Sequence, residues 1–246
     1  MDFAKKNLYL KITLAQENIM TILELKTLFT ENLSSHFTTS EGAELYSIFI
    51  EKELGYNKFQ QRQSENEILS EKQIENFRAL ISELKTGKPF QQILGETEFY
   101  GLKFFVDEHI LIPRPETEEL LELAIEKIKA RSLKSEVIKI LDIGTGSGII
   151  PIVLKKHFPQ AEISAIDFSE KALKKAKRNA DFHEVEINFI HQDYLNADLT
   201  EIYDVIISNP PYIGMEEEVE IADSVKEFEP KMALFSPTSN ALIFYE

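Results

Sequence analysis

One segment predicts the fold class of this chain, namely Leu141-Asp142-Ile143-Gly144-Thr145-Gly146-Ser147-Gly148. Its first residue ends the apolar run 137–141, which has the composition of a buried strand, and the segment precedes a helical pattern that reaches His157. Glycines let a backbone turn tightly and approach a ligand without side-chain clash, and the start of a helix offers free amide groups. A strand, a glycine-rich turn and a helix in this order are typical of the nucleotide-binding crevice of a doubly wound α/β domain.

The spacing of the glycines favours one class of ligand. A dinucleotide fingerprint needs its third glycine one position after Gly148, where this chain has Ile149. An acidic residue, Asp142, precedes the first glycine by two positions. This arrangement suits a ligand with a positive amino group and no pyrophosphate, which indicates S-adenosylmethionine. The alternative is a glycine turn that serves packing alone.

The C-terminal half alternates between strand and helix patterns. Further strands are predicted at 162–166, 187–190 and 205–208, and an amphipathic helix from Leu120 to Ile128 precedes the first strand. Such alternation predicts a parallel, doubly wound, Rossmann-like sheet. The last of these strands is apolar on both faces, as a buried central strand is.

The N-terminal third predicts a small helical bundle. Apolar residues recur three and four positions apart over 22–33, 45–54 and 74–84, which is the pattern of amphipathic helices. Ser70 and Gln73 have the spacing of a capping box at the start of the third helix.

The segment after the bundle has a different composition. Two runs rich in aromatic and β-branched side chains, with glycines between them, predict a β-hairpin connector over 87–112. We therefore expect a helical substrate-docking domain over 1–86 and the α/β domain over 113–246. A native start at Met20 is a hypothesis for residues 1–19, which have no assigned role.

Composition argues against several classes of function. The chain has 27 Lys and Arg against 42 Asp and Glu, a net charge of −15, which argues against a broad nucleic-acid surface. It has no cysteine, and its 5 histidines lack the spacing of metal ligands, so no metal site is predicted. No apolar run approaches the ~20 residues of a membrane span, and no secretory signal is evident. We expect a soluble cytoplasmic protein.

Two positions beyond the glycine segment are candidates for cofactor contacts. Asp167 ends the second predicted strand, where a carboxylate can accept hydrogen bonds from ribose hydroxyls. Capping of the following helix is an alternative that is compatible with this role. Asp193 and Tyr194 follow the third strand, where an adenine would lie, and a surface turn is the equal alternative for them.

A second motif, Asn209-Pro210-Pro211-Tyr212, follows the strand at 205–208. Two consecutive prolines cannot extend a central strand, and they stiffen the backbone. The rigid turn would project the Asn209 side chain and the Pro210 carbonyl into the crevice. Two neighbouring carbonyl acceptors match the two hydrogens of a planar NH₂ group, and the Tyr212 ring offers a surface for stacking. A simple strand-ending turn is the alternative.

These motifs together resemble the N5-glutamine methyltransferases that modify peptide-chain release factors. The resemblance covers nearly the whole chain from Met20, and the combination with a helical N-terminal domain is what makes it specific. The matching segments are Pro89-Phe90-Gln91-Gln92-Ile93-Leu94-Gly95, Leu111-Ile112-Pro113-Arg114-Pro115-Glu116-Thr117-Glu118, Asp142 to Gly148, Asn209 to Tyr212, Glu229-Pro230 and Ala233-Leu234.

The resemblance implies methyl transfer from S-adenosylmethionine to the side-chain amide of the glutamine in the Gly-Gly-Gln motif of class 1 release factors. Asn209 and Pro210 would be catalytic, and Pro211 and Tyr212 would complete the substrate site. The N-terminal helices would help to dock the release factor. The residues expected to bind the cofactor are Asp142, Gly144, Thr145, Gly146, Ser147, Gly148, Asp167, Tyr194 and Asn209.

Three other functions fit parts of the pattern. A glutamine methyltransferase acting on a ribosomal protein shares both motifs, and a DNA amino-methyltransferase shares the second. A scaffold that binds a nucleotide without catalysis is the non-enzymatic alternative. The sequence leaves open whether Arg114 and Glu116 touch the cofactor or only cap and pair, and whether Phe168 packs on the adenosine or in the core.

The resemblance also raises an expectation about the C-terminal end. The family has a seven-stranded sheet with the order 3-2-1-4-5-7-6, whereas the sequence predicts four strands before the chain stops at Glu246, within an apparent helix over 241–245. We therefore expect a C-terminally truncated fragment whose fourth strand is an open edge. Such an edge invites aggregation, so the isolated chain is expected to be poorly soluble and nearly inactive.

Overall fold

The computed structural model describes residues 19–130, 137–196, 199–211, 213, 223–236 and 243–245. They belong to two compact units that divide between Leu94 and Gly95. The division lies later in the chain than the predicted end of the helical domain, because the segment before Gly95 packs with the helices.

The N-terminal unit consists of helices around one apolar core. These helices are α1 (Ile22–Leu33), α2 (Thr39–Leu54), α3 (Lys58–Gln63), α4 (Glu71–Lys85) and α5 (Phe90–Leu94). The first four each begin with a capping box, in which a Ser, Thr or Asn side chain accepts a hydrogen bond from the third helical amide. The predicted box at Ser70 is confirmed, with its amide donating to Gln73 Oε1 at 2.8 Å. The buried faces of α1, α2 and α4 supply Phe29, Phe49 and Phe77 to the core.

The two short helices differ from the prediction. Helix α3 lacks a repeated apolar stripe, so its periodicity gave no signal. Helix α5 replaces the first part of the predicted hairpin connector. The Pro89 carbonyl accepts from the amides of Gln92 and Ile93, and the side chains of Phe90 and Ile93 pack against the helical core. Burial against the bundle therefore outweighs the β propensity of this segment.

The C-terminal unit contains a hairpin and an α/β layer structure. The hairpin pairs β1 (Glu96–Phe99) with β2 (Leu102–Phe105) in antiparallel register. The α/β part consists of α6 (Glu116–Ala130), β3 (Lys139–Ile143), α7 (Ile149–His157), β4 (Glu162–Asp167), α8 (Glu170–Phe182), β5 (Asn188–His191), β6 (Val205–Ser208), α9 (Asp223–Phe228) and α10 (Lys231–Leu234), with 3₁₀ turns at Tyr194–Asn196 and Ile243–Tyr245.

The four strands β3 to β6 form a parallel sheet in the order β5-β4-β3-β6. This confirms the predicted doubly wound class and the expected order of the first four strands. Strand β3 extends through Ile143, which is paired with Ile166 and Ser208, so it continues two residues beyond the predicted run 137–141 and includes Asp142. The carboxyl ends of β3, β4 and β6 meet at one sheet edge, where the loops of such folds bind ligands.

Strand β6 borders the sheet in the described part of the chain, where β3 is its only neighbour. Ile207 is 5% exposed, whereas Ile206 on the opposite face is 60% exposed. Both faces of β6 are apolar, but in the described residues only one of them is buried and the other is exposed. Across the described ranges, no helix has the length and apolar character needed to cross a bilayer.

Candidate active site

The glycine turn after β3 is held by the end of β4. The amides of Gly144 and Thr145 both donate to the Ile166 carbonyl, at 2.9 and 3.0 Å. The amide of Gly146 donates to Asp167 Oδ2 at 2.8 Å. These three hydrogen bonds fix the turn at the carboxyl edge of the sheet.

The three glycines of this turn have two different roles. All have positive φ, with values of 74° at Gly144, 54° at Gly146 and 80° at Gly148. A Cβ atom at Gly148 would lie 3.0 Å from the Cβ of Ala176 on α8, whereas one at Gly144 or Gly146 would meet no protein atom within 4 Å. The first two glycines line a cavity and the third does not. Space for a ligand and close helix packing, the two alternatives that the sequence offered, therefore apply to different glycines.

The cavity lies over the carboxyl ends of β3, β4 and β6 and has a volume of about 670 Å³. It brings together residues that the sequence singled out separately, including Gly144, Thr145, Asp167, Tyr194, Asn209 and Pro210. Ser147 and Pro211 also line it, whereas Tyr212 is outside the described residues. A volume of this size is within the range of small-molecule and cofactor sites.

Asp142 lies behind the cavity lining. Its side chain is fully buried, and neither carboxylate oxygen has a hydrogen-bond partner among the described residues. Burial raises the pKa of Asp142 to about 7, against the lowering effect of Thr145 and with a further rise from Asp167. The Thr145 hydroxyl is close enough to favour the charged form, but its geometry is not that of a hydrogen bond. Asp142 does not line the cavity, and its predicted part in cofactor binding stays a prediction.

Asp167 serves the turn and the following helix at the same time. Its Oδ2 atom accepts from Gly146, and its Oδ1 atom accepts from the amide of Ser169 at 2.8 Å. Ser169 is the N-cap of α8, and its side chain accepts from the Ala172 amide. Burial raises the pKa of Asp167, and the bonds from these two amides lower it in part. The carboxylate borders the cavity, so the capping role and a ligand role remain compatible.

Aromatic residues line the β4 and β5 side of the cavity. Phe168 is 60% exposed, so the core alternative for it is wrong. Tyr194 lies in the 3₁₀ turn after β5 and also borders the cavity. Asp193 holds this turn, since its Oδ1 accepts from the Leu195 amide at 3.1 Å and its Oδ2 from the Asn196 side chain at 2.7 Å. Asp193 therefore has a structural role in the turn even though it also lines the cavity.

Asn209 is fixed on the opposite side of the cavity. The preceding residue, Ser208, donates its hydroxyl hydrogen to the Ile143 carbonyl at 2.8 Å, which joins the ends of β6 and β3. The Asn209 Nδ2 atom donates to Thr117 Oγ1 at 3.1 Å. Thr117 is 4% exposed and lies in the first turn of α6. No local sequence pattern predicts this contact, because the two residues are 92 positions apart in the chain.

Arg114 and Glu229 form an ion pair at the cavity. Arg114 Nη2 lies 2.6 Å from Glu229 Oε1, and the Ile112 amide donates to Glu229 Oε2 at 3.0 Å. The Glu229 side chain is only 1% exposed. The pair holds the segment before α10 against the segment before α6. Of the two alternatives that the sequence left open for Arg114, contact with the cofactor or pairing within the protein, the structure shows the pairing.

Asn179 is a buried polar residue that the sequence reading missed. It lies on α8 with no exposed surface. Its Nδ2 atom donates to the carbonyls of Phe105 at 3.1 Å and Ser147 at 2.8 Å, while its Oδ1 atom accepts from the Phe105 amide at 2.7 Å. One side chain therefore joins the hairpin to the glycine turn. A signal existed in the sequence, since Asn179 falls on the apolar stripe of its helix.

The residues around the cavity fit S-adenosylmethionine. Gly144 and Gly146 leave open space beside the cavity, and Thr145 carries a buried hydroxyl without a partner in the described residues. A carboxylate at Asp167 and aromatic rings at Phe168 and Tyr194 supply what a ribose and an adenine require.

Comparisons with known proteins indicate the class of protein to which this chain belongs. Residues 122–227 match the family model described as "Methyltransferase small domain". Together with the sheet and the cavity, this match defines the class as an S-adenosylmethionine-dependent methyltransferase of α/β fold. Residues 24–95 match the model described as "PrmC N-terminal domain".

Individual relatives identify the family. A "Release factor glutamine methyltransferase" from Flavobacterium psychrophilum is 44% identical over 92% of this chain and 79% of its own length. One of the same name from Enterococcus faecalis is 38% identical over 87% of this chain and 76% of its own length. The chain therefore belongs to the release factor glutamine methyltransferase family. Among solved structures it is similar to the plantazolicin methyltransferase BpumL with SAH, with 33% identity and a TM-score of 0.31 over 37% of this chain and 35% of that one.

Proposed function

We propose that this protein transfers a methyl group from S-adenosylmethionine to the side-chain amide nitrogen of the glutamine in the Gly-Gly-Gln motif of a class 1 release factor. One observation carries the proposal. The glycine turn with Asp167 and the Asn209-Pro210-Pro211 segment line the same cavity. A cofactor site and a pair of acceptors for an amide NH₂ group therefore share one space. The name of the relatives supports release factors as the substrate class.

The cofactor would be held on the β3 and β4 side of the cavity. Gly144 and Gly146 would allow close backbone approach, Asp167 would accept from the ribose, and Phe168 and Tyr194 would pack on the adenine. Gly148 would support this side of the cavity through its close packing against α8. Asp142 would support the glycine turn from behind the cavity lining. When bound, S-adenosylmethionine supplies a methyl group activated by a sulfonium centre.

The target glutamine would be held on the β6 side. An amide nitrogen is a poor nucleophile because its lone pair is delocalised into the carbonyl. Asn209 Oδ1 and the Pro210 carbonyl would each accept one of its hydrogens and so fix the plane and position of the nitrogen. Holding both hydrogens favours the pyramidal nitrogen that resembles the transition state. No strong base is needed, since the proton becomes acidic once the nitrogen is alkylated.

A labelled methyl-transfer assay tests the proposal. Purified protein and S-adenosylmethionine labelled in the methyl group are incubated in three separate reactions. The reactions contain a class 1 release factor, a mixture of ribosomal proteins, or duplex DNA. We expect label in the release factor alone. Asn209→Ala should remove it, while Asn188→Ala, at an exposed position that begins β5, should retain it. Label in DNA or in a ribosomal protein instead would overturn the substrate assignment, and an active Asn209→Ala variant would overturn the site.

A further inference from the structure

The orientation of the Asn209 side chain decides what the cavity offers to a substrate. An amide side chain has a donor NH₂ and an acceptor oxygen of nearly equal size, so a half-turn about its last bond exchanges them. A target NH₂ group needs the acceptor. If the NH₂ group of Asn209 faced the substrate, the side chain could not accept a hydrogen bond from the target NH₂ group and would repel it.

The hydroxyl of Thr117 holds one of these two orientations in this structure. It accepts the hydrogen bond from Asn209 Nδ2 at 3.1 Å. Within the described residues nothing donates to Asn209 Oδ1, which stays free to accept from a ligand. Asn209, Thr117 and Pro210 all border the same cavity.

Thr117 is itself held in place. Its side chain is 4% exposed, and its amide donates to the Arg114 carbonyl at 3.0 Å in the first turn of α6. The Arg114 side chain is paired with Glu229, and Leu121 on the next turn of α6 is fully buried. The acceptor for Asn209 therefore stands on a fixed part of the fold rather than on an exposed loop.

We propose that Thr117 is a positioning residue that keeps the carbonyl oxygen of Asn209 directed at the target amide. This inference rests on the proposed function, since it assumes a substrate NH₂ group at Asn209. Thr117 acts through Asn209 and needs no contact with the reacting atoms.

Three variants separate the hydroxyl from the shape of the side chain. Thr117→Val keeps the volume but removes the acceptor, so the Asn209 amide loses its preferred orientation. We expect kcat to fall by about 10- to 100-fold with little change in KM for the release factor. Thr117→Ser keeps the hydroxyl and should remain within about threefold of the wild type. Thr200→Val, at an exposed position in the same unit, is the matched control and should change nothing.

A second measurement does not depend on turnover. The side-chain NH₂ signals of Asn209, assigned by NMR with the Asn209→Ala variant, report the bond to Thr117 directly. The Asn209 Nδ2 proton that is donated to Thr117 should exchange with solvent several-fold faster in Thr117→Val than in the wild type or Thr117→Ser. Melting temperature and S-adenosylhomocysteine affinity should be equal in all three proteins.

The outcomes are distinguishable. A Thr117→Val variant with wild-type kcat and unchanged exchange, or equal losses in Thr117→Val and Thr117→Ser, would overturn the role of Thr117. A loss confined to KM or to S-adenosylhomocysteine affinity would also overturn it. A wild-type protein that methylates no release factor would instead refute the proposed function, and the exchange experiment would still test the Asn209 orientation.

Discussion

Replacing Gly148 with alanine should destabilise the fold more than the same change at Gly144. Gly148 has a φ of 80°, and a left-handed conformation costs an L-residue about 1–2 kcal/mol. The new Cβ would also lie 3.0 Å from the Cβ and 3.2 Å from the Cα of Ala176. A helix backbone and a methyl group cannot rotate away, so crowding should add about 1–3 kcal/mol. The expected loss of unfolding free energy is therefore about 2–5 kcal/mol.

Gly144→Ala is the matched control, because its φ is 74° and its Cβ would meet no protein atom within 4 Å. It should incur only the conformational cost of about 1–2 kcal/mol. The added methyl group would however stand beside the cavity, so S-adenosylhomocysteine should bind at least about tenfold more weakly, through overpacking against the ligand. Urea unfolding measures the first effect, and calorimetric titration measures the second.

A third variant isolates the contact itself. Ala176→Gly in the Gly148→Ala background removes the methyl group that the new Cβ would meet, at the expense of about 1 kcal/mol of helix propensity. The double variant should recover part of the stability that Gly148→Ala loses, as a favourable coupling term. Equal destabilisation by Gly148→Ala and Gly144→Ala, or no coupling with Ala176→Gly, would refute the assignment of Gly148 to packing.

Three further changes test other parts of the site. Asp167→Ala should weaken S-adenosylhomocysteine binding by about 10- to 100-fold with a smaller effect on kcat, and unchanged affinity in calorimetry would return Asp167 to helix capping alone. Asn179→Leu should lower the unfolding free energy by about 2–4 kcal/mol in urea, because buried backbone groups of Phe105 and Ser147 lose their partner, and a neutral result would contradict that account. The pKa of Asp142 is raised to about 7, so between about pH 4 and 7 the native state holds a proton that the unfolded state releases. The free energy of unfolding should therefore fall by on the order of 4 kcal/mol as the pH rises through this range. Asp142→Asn should flatten this decline, and an unchanged pH profile would show that Asp142 titrates normally.

Much of the α/β unit follows from local patterns in the chain. Parallel strands need crossover helices of fixed hand. This limits the possible neighbours of the run 137–141, which leads into the glycine segment, and of the strand at 205–208. Periodicity and turn residues therefore predicted the strands and their parallel arrangement, whereas their order in the sheet was expected from the family resemblance. The same local signals placed Asp167 and Asn209 at the carboxyl edge of the sheet.

The contacts that hold the site could not be predicted in the same way. Thr117 with Asn209, and Arg114 with Glu229, are polar pairs that are remote in the chain, and no periodic pattern links such partners. The Phe90–Leu94 helix was missed because packing against the helical core outweighs local propensity. Asn179 was readable in principle, since a buried stripe position held by a polar residue requires hydrogen-bond partners.

The proposed function requires that the target of methyl transfer is a release-factor glutamine side chain. Mass spectrometry of a class 1 release factor treated with this protein and S-adenosylmethionine tests it most directly. We predict a single added methyl group on the side-chain nitrogen of the Gly-Gly-Gln glutamine, and no product when that glutamine is replaced. Methylation at any other residue, or an unmodified glutamine while the protein demonstrably binds S-adenosylhomocysteine, would show that this glutamine is not the target.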